Sequence, residues 1–148
     1  MKAFGFAIGL MLALPAWSQS SWLVTPEEAQ AARDAGDNII VPRSTLPQGA
    51  PRIEVVAPDL SRPVQVPARI EVRFTGGGSS EARPETFKAL YGAFRLDITQ
   101  RLLKFAKVTK EGIVVSEAEL PSGRHQLLLT MTDTQGRQIQ QTVSFTVQ

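Results

Sequence analysis

The sequence predicts an all-β fold, an antiparallel sandwich of seven strands that occupies residues 51–148. The strongest observation is an alternation of apolar and polar side chains from Val64 to Phe74, because a period of two is typical of a strand with one buried face. The second observation is that short apolar segments recur along the chain, each bounded by glycine- or proline-containing turns. The third is a hydrophobic content of 43%, which is enough to fill a core between two sheets.

The N-terminal residues 1–18 have the pattern of a cleavable signal peptide. Lys2 is followed by the apolar segment 3–14, and Pro15 ends that segment. Ala16 and Ser18, with Trp17 between them, fit the small-x-small pattern of a cleavage site. The apolar segment is shorter than the roughly 20 residues that a membrane-spanning helix needs. We therefore expect a periplasmic or secreted protein that keeps no stable membrane span after cleavage.

Residues 19–50 are expected to form an N-terminal arm and a linker rich in proline and glycine. Within the arm the pattern predicts a short helix over residues 25–35, because Thr25 suits the N-cap, Pro26 suits the first helical position and Glu28 has capping-box spacing. This helix has few apolar residues and would be marginal in isolation. Two arrangements stay open. The arm is either loosely ordered or docked on the β domain through the apolar residues before the helix, which are Trp22, Leu23 and Val24.

The β domain follows the linker, and its predicted strands succeed one another along the chain. The segments that mark the seven strands are 53–56, 64–74, 87–91, 94–98, 113–115, 127–131 and 139–147. The glycine- and serine-rich segment 75–80 is expected to be a flexible loop, and 100–106 a short helix with Thr99 as its cap. Residues 133–136 predict the tight turn of the last hairpin. Three large side chains are assigned to the inward faces of central strands: Phe74, Leu129 and Phe145.

Two segments resemble the bacterial immunoglobulin-like domains of exported proteins. The first is Pro51-Arg-Ile-Glu-Val-Val-Ala-Pro58 with the alternating strand after it; the second is 120–136, where a Pro-x-Gly turn precedes a strand and an Asp-x-x-Gly hairpin ends it. The resemblance implies an immunoglobulin-like sandwich over 51–148 that serves as a spacer, an adhesion module or a protein-interaction module. In such domains the position of His125 often holds a tyrosine that ties a corner to the backbone, so the resemblance implies a structural role for His125.

No combination of residues predicts a catalytic or metal site. The chain has one histidine, His125, and no cysteine, so any nucleophile–base pair would depend on that side chain and thiolate chemistry is excluded. A copper site is disfavoured because His125 and Met131 are single residues of their kinds in the mature chain. Asp97, Glu111 and Asp133 lack the regular spacing of a calcium-binding loop. We expect no enzymatic activity, no catalytic residue, no metal and no cofactor.

The remaining predictions concern binding surfaces. The 16 basic and 14 acidic residues nearly balance, which does not favour a nucleic-acid partner. There are three candidate interaction regions: the loop 75–84, the region 99–111 and the arm. The residues singled out are Trp22 and Leu23 in the arm and the basic residues Arg101, Lys104, Lys107 and Lys110 in the region 99–111. The basic residues would bind an anionic partner or form a solubilising face. We expect a non-enzymatic module that binds an unknown envelope protein. The alternatives are a carbohydrate- or small-ligand-binding domain, with Trp22 and Tyr91 as its aromatic residues, and a hydrolase.

Overall fold

The computed structural model describes residues 22–36 and 48–148, which contain two short helices and eight strands. The helices are α1 (Pro26–Asp34) and α2 (Thr99–Phe105). The strands are β1 (Arg52–Ala57), β2 (Ala68–Thr75), β3 (Ala82–Tyr91), β4 (Leu96–Asp97), β5 (Ala106–Val108), β6 (Gly112–Ala118), β7 (Gly123–Asp133) and β8 (Gln138–Val147). The predicted signal peptide and residues 37–47 of the predicted linker lie outside the described residues. Neither helix in the two described ranges has the length and apolar character needed to cross a membrane.

The strands form two antiparallel four-stranded sheets that pack face to face. One sheet has the order β1-β2-β6-β5 and the other has the order β4-β3-β7-β8. The all-β sandwich predicted from the alternating pattern is therefore confirmed. The predicted number of strands is wrong by one, because β5 pairs with β6 and was not predicted. Its three residues are too few to show a period of two.

The core lies between the sheets and is built from alternate residues of their inner faces. Phe74, Leu129 and Phe145, which the sequence predicts to face inward, are all buried, so this assignment is confirmed. The predicted tight turn between β7 and β8 is also present. The N–H of Gly136 donates to the carbonyl oxygen of Asp133 (3.0 Å), and Gly136 has a φ of +76°, which glycine adopts without steric cost.

The long alternating segment does not form one strand from its first residue. β2 begins at Ala68, directly after Pro67, which has no N–H to donate to a neighbouring strand. Val64 instead pairs with the other sheet: its N–H donates to the carbonyl oxygen of Thr146 (2.7 Å). Between these positions Val66 is exposed. The chain therefore crosses from one sheet to the edge of the other and returns, although the apolar period continues through the crossing.

The segment 94–98 is not the alternating strand that the sequence predicts. Gly92 and Arg95 both have positive φ values, +65° and +52°, and the turn that they form leaves Phe94 exposed. Thr99 is not the cap of α2, because its hydroxyl accepts the N–H of Ala89 (3.0 Å) in the core. The carboxylate of Asp97 accepts the N–H of Thr99 (2.9 Å) instead.

The N-terminal arm packs against one end of the sandwich. α1 has the predicted capping box: the hydroxyl of Thr25 accepts the N–H of Glu28 (3.3 Å), and the carboxylate of Glu28 accepts the N–H of Thr25 (3.0 Å). Leu23 and Val24 are buried in the core cluster, and the N–H of Leu23 donates to the carbonyl oxygen of Glu119 (3.1 Å). Of the two arrangements left open by the sequence, the structure has the docked one.

The glycine-rich loop before β3 is packed rather than open. A Cβ atom on Gly77 would lie 2.2 Å from the carbonyl carbon of Ala50, so only glycine fits at this close approach of two backbones. The hydroxyl of Ser80 donates to the carbonyl oxygen of Gly49 (3.1 Å). These contacts hold the loop against the start of the β domain and leave it little freedom as a binding loop.

Candidate interaction surface at the α2 edge

The four basic residues predicted as a candidate interaction region do not act as one group. The guanidinium of Arg101 makes two hydrogen bonds to the carboxylate of Glu28 in α1, at 2.6 Å and 2.7 Å. The hydrogen bond from Arg101 lowers the pKa of Glu28, and the same contact raises the pKa of Arg101. Arg101 therefore attaches the arm to α2, and its charge is neutralised within the chain.

The three lysines of that region are exposed and lie along one edge of the sandwich. Lys104 is in the last turn of α2, Lys107 is in β5, and Lys110 is in the turn between β5 and β6. β4 is the edge strand of one sheet and β5 the edge strand of the other, and α2 connects them. We call the surface formed by residues 94–110 the α2 edge.

The α2 edge also exposes large apolar side chains. Phe94 is 73% exposed, and Phe105, Leu96 and Leu103 are 41%, 38% and 37% exposed. In the described ranges the other large apolar side chains that are exposed are Val56 and Val66, which lie outside this edge. Exposed apolar residues that gather in one region, with charged residues around them, are typical of an interaction site.

The sequence indicated the lysines of this surface but not its exposed apolar residues. Gly92 interrupts the alternation of residues 87–91, and Phe94, Leu96 and Ile98 restart it one position out of phase, which predicts a new strand over 94–98. The structure has only the two-residue β4 in this segment, and of these three side chains only Ile98 is buried. Leu103 and Phe105 lie on the outer side of α2, whose buried residues are Thr99 and Leu102.

The arm residues predicted to contact a partner are placed differently from one another. Leu23 is 2% exposed and packs in the core, so its assignment as an interaction residue is wrong. The physical reason is that Leu23 packs into the hydrophobic core at the end of the sandwich, so its side chain is already buried by this chain's own residues. Trp22 is half-buried and forms a parallel bridge with Glu119, which follows β6.

His125 lies inside the sandwich near the start of β7, and both of its ring nitrogens have partners. Nε2 lies 2.7 Å from the carbonyl oxygen of Pro121, an acceptor, so Nε2 carries the proton and donates. Nδ1 then accepts the hydroxyl of Tyr91 (2.9 Å), and the imidazole stacks on Phe145 with ring centroids 5.4 Å apart. Desolvation by burial lowers the pKa of His125 and raises the pKa of Tyr91. In this arrangement neither nitrogen is available to a metal or a substrate, and Tyr91 is too buried to serve as a sugar platform.

The acidic residues weighed as calcium ligands lie in separate places. Asp97 accepts the N–H of Thr99, Glu111 interacts with Thr109, and Asp133 is bonded to Arg137. Across residues 22–36 and 48–148, no three histidine, aspartate or glutamate side chains come together in a metal-binding arrangement.

A small apolar cavity lies between the sheets near the β1–β8 side. Its volume is about 40 Å³, and its lining includes Val55, Leu60, Ile70, Leu127 and Phe145. Pockets that hold drug-sized ligands measure roughly 300–1,000 Å³. This cavity is therefore too small to hold a ligand of that size.

Comparisons with known proteins identify no family for this chain. No family model matches the chain, and no curated protein sequence matches it. Among solved structures, the chain is similar to CopC from Methylosinus trichosporium OB3b, with 14% sequence identity and a TM-score of 0.41. The alignment covers 65% of this chain and 93% of that chain.

Proposed function

We propose that the protein is an exported, non-enzymatic immunoglobulin-like module that binds a partner protein of the cell envelope through the α2 edge. The observation that carries the proposal is the exposure of Phe94, Phe105, Leu96 and Leu103 on one edge of a sandwich whose other large apolar side chains are mostly buried. The signal-peptide pattern of residues 1–18 supports export. Aromatic residues near the centre of an interface often supply most of its binding free energy.

The charges around this surface favour a particular kind of partner. Lys104 and Lys107 flank the exposed apolar residues, whereas Arg101 is occupied by Glu28. A partner with an apolar groove bordered by carboxylates would bury the phenylalanines and pair the lysines at the rim. Rim charges of this kind contribute mainly to the association rate and to specificity.

The test is a pair of matched double variants of the full-length precursor, expressed and exported in its own cell. Phe94→Ser with Phe105→Ser removes the two exposed aromatic side chains of the α2 edge. Val56→Ser with Val66→Ser removes the exposed apolar residues elsewhere in the described ranges and serves as the control. We expect a stoichiometric partner to be cross-linked to the wild type and to the valine variant.

The phenylalanine variant should bind that partner at least about tenfold more weakly, which corresponds to about 1.4 kcal/mol. Circular dichroism of both variants checks that the sheets are intact. Equal recovery of the partner with the two double variants, or a wild-type protein with no partner at native abundance, would contradict the proposal.

A further inference from the structure

Among residues 22–36 and 48–148, no strand pairs with the outer side of β8 over most of its length. Val64 pairs only with the C-terminal end of β8. There the N–H of Gln148 donates to the carbonyl oxygen of Val64 (3.0 Å), and the carbonyl oxygen of Thr146 accepts the N–H of Val64 (2.7 Å). β7 and β8 pair without a register shift, so the backbone groups of β8 alternate in direction along the strand. The N–H and C=O groups of the even-numbered residues therefore point away from β7: Gln138, Gln140, Thr142 and Ser144.

This edge lacks the features by which proteins prevent their sheet edges from pairing. Such features are charged side chains, prolines and very short strands. β8 has ten residues, Gln138–Val147, and none of them is charged or a proline. The other three edges each have at least one of these features: Arg52 and Glu54 in β1, Arg83, Pro84 and Glu85 in the part of β3 beyond β4, and Lys107 in the three-residue β5.

Two side chains on β8 have polar groups that suit a further strand. The Oε1 atom of Gln140 is buried and has no hydrogen-bond partner among the described residues, and a buried polar atom in that state is uncommon in folded proteins. The side chain of Gln141 is exposed and folds back to donate to the outward-facing carbonyl oxygen of Thr142 (2.9 Å). The first observation is hydrogen-bonding capacity that the described residues do not satisfy. The second is an outward-facing carbonyl oxygen of β8 that accepts from an exposed side chain of the same strand, which a pairing strand would displace.

We propose that β8 pairs with β8 of a second copy of this chain, antiparallel and with two-fold symmetry centred on Gln141. In this register Gln138 lies opposite Ser144 and Gln140 lies opposite Thr142 of the second copy, so the outward-facing backbone groups meet. The pairing ends before Thr146, which is occupied by Val64. It joins two four-stranded sheets into one continuous sheet.

The side chains of β8 favour its own sequence as the pairing strand. Because β8 has no charged residue, no like charges meet across the two-fold axis. Directly opposite residues lie on the same face of a sheet, so the side chain of Thr142 in one copy lies beside that of Gln140 in the other. A rotation of the Gln140 side chain would bring its Oε1 atom, which is buried in the single chain, to the Thr142 hydroxyl. The two Gln141 amides meet at the axis. The inference is independent of the partner at the α2 edge, because that surface is on the other side of the sandwich.

The first test uses the absence of cysteine from the chain. In the proposed register the Cα atoms of the two Gln141 residues are about 4.5 Å apart, which is within the range that a disulfide spans. Gln141→Cys should therefore convert to a covalent dimer under mild oxidation. Gln135→Cys, at an exposed glutamine of the neighbouring turn, is the control and should stay largely monomeric. Equal rates for the two cysteine variants would overturn the proposal.

The second test uses charge at the two-fold axis. Gln141→Lys and Gln141→Glu should each be monomeric in sedimentation analysis, because like charges then meet, and an equimolar mixture should recover the dimer. A wild-type protein that stays monomeric at its highest soluble concentration overturns the proposal, and so does a mixture that does not associate. The variant Phe94→Ser with Phe105→Ser should keep the wild-type dimer, so failure at the α2 edge and failure at β8 can be distinguished.

Discussion

The two ends of β7 bury polar side chains in opposite ways. His125, near the start of the strand, and Asp133, its last residue, both face the interior and are almost completely buried. Burial costs free energy for any polar group that loses its water, and far more for a charged one. At the first end the side chain is kept neutral and given two neutral partners, Tyr91 and Pro121. At the second end the side chain is kept charged.

The local backbone explains why Asp133 can stay ionised. One carboxylate oxygen accepts the N–H groups of Gln135 (2.9 Å) and Arg137 (2.8 Å), and the other accepts Nε of Arg137 (2.7 Å). Desolvation alone would raise the pKa of Asp133, but these hydrogen bonds together outweigh it and lower the pKa. The guanidinium of Arg137 also reaches Ser80 (2.7 Å) and the carbonyl oxygen of Gly49 (3.2 Å). A tight turn leaves backbone N–H groups free to donate to a side chain. In the sheet around His125 the backbone N–H groups instead pair with neighbouring strands.

The largest expected effect is at the charged end. Asp133→Ala should lower the melting temperature by several degrees, because it leaves two turn N–H groups and the guanidinium of Arg137 without their acceptor. Asp133→Asn keeps the volume and one acceptor oxygen and should lose less. Urea unfolding of the three proteins measures the loss of unfolding free energy that accompanies the lower melting temperature. If the alanine variant is as stable as the wild type, the charged cluster does not hold this end of the sandwich.

An intermediate effect should appear in the pH dependence of stability. The folded pKa of His125 is lowered from 6.5, so the unfolded chain takes up the proton first, and the free energy of unfolding should decrease as the pH falls from 6.5 through the lowered pKa. The folded pKa of Asp133 is lowered from 3.8, so its contribution is present above pH 3.8 and is lost in more acidic solution. The two ends should therefore weaken in two separate pH ranges.

The variant His125→Asn separates those ranges. It should remove the decrease that begins at pH 6.5 and keep the acidic one, as measured by urea unfolding at a series of pH values. The groups that face the imidazole are Tyr91, the carbonyl of Pro121 and the more distant Arg33. Burial raises the pKa of Tyr91, which moves the phenol further from this pH range. An unchanged slope in the asparagine variant would mean that another group causes it.

The smallest effect is expected from the ion pair on the surface. The side chains of Arg101 and Glu28 are 38% and 24% exposed, so solvent screens them, and Glu28→Gln should cost less than about 1 kcal/mol. Glu27→Gln, in the same turn of α1 and exposed, is the matched control. Limited proteolysis of the arm, together with urea unfolding, measures both. If Glu28→Gln lowers the free energy of unfolding as much as Asp133→Ala does, solvent exposure does not determine how much an ion pair stabilises this protein.

The sequence predicted those parts of the fold that depend on neighbouring residues. The capping box of α1, the turn at 133–136 and the inward faces of β2, β7 and β8 follow local rules of spacing and hydrogen bonding, and the structure has them all. The errors occur where the same pattern fits two structures. Phe94 and Leu96 start a new apolar alternation but lie at a turn and an edge, and Val64 is the first residue of another alternation but belongs to the opposite sheet.

The sequence by itself determined that this chain forms sheets with one apolar face, because the period of side chains along a strand is a local property. The tertiary structure decided which distant residues meet: Arg101 with Glu28, His125 with Tyr91, and Ser80 with Arg137. It also decided which apolar residues stay exposed to solvent, at the α2 edge, and which strands lie at the edges of the two sheets that the described residues form. These properties depend on the order of strands in space, and no spacing along the chain encodes that order.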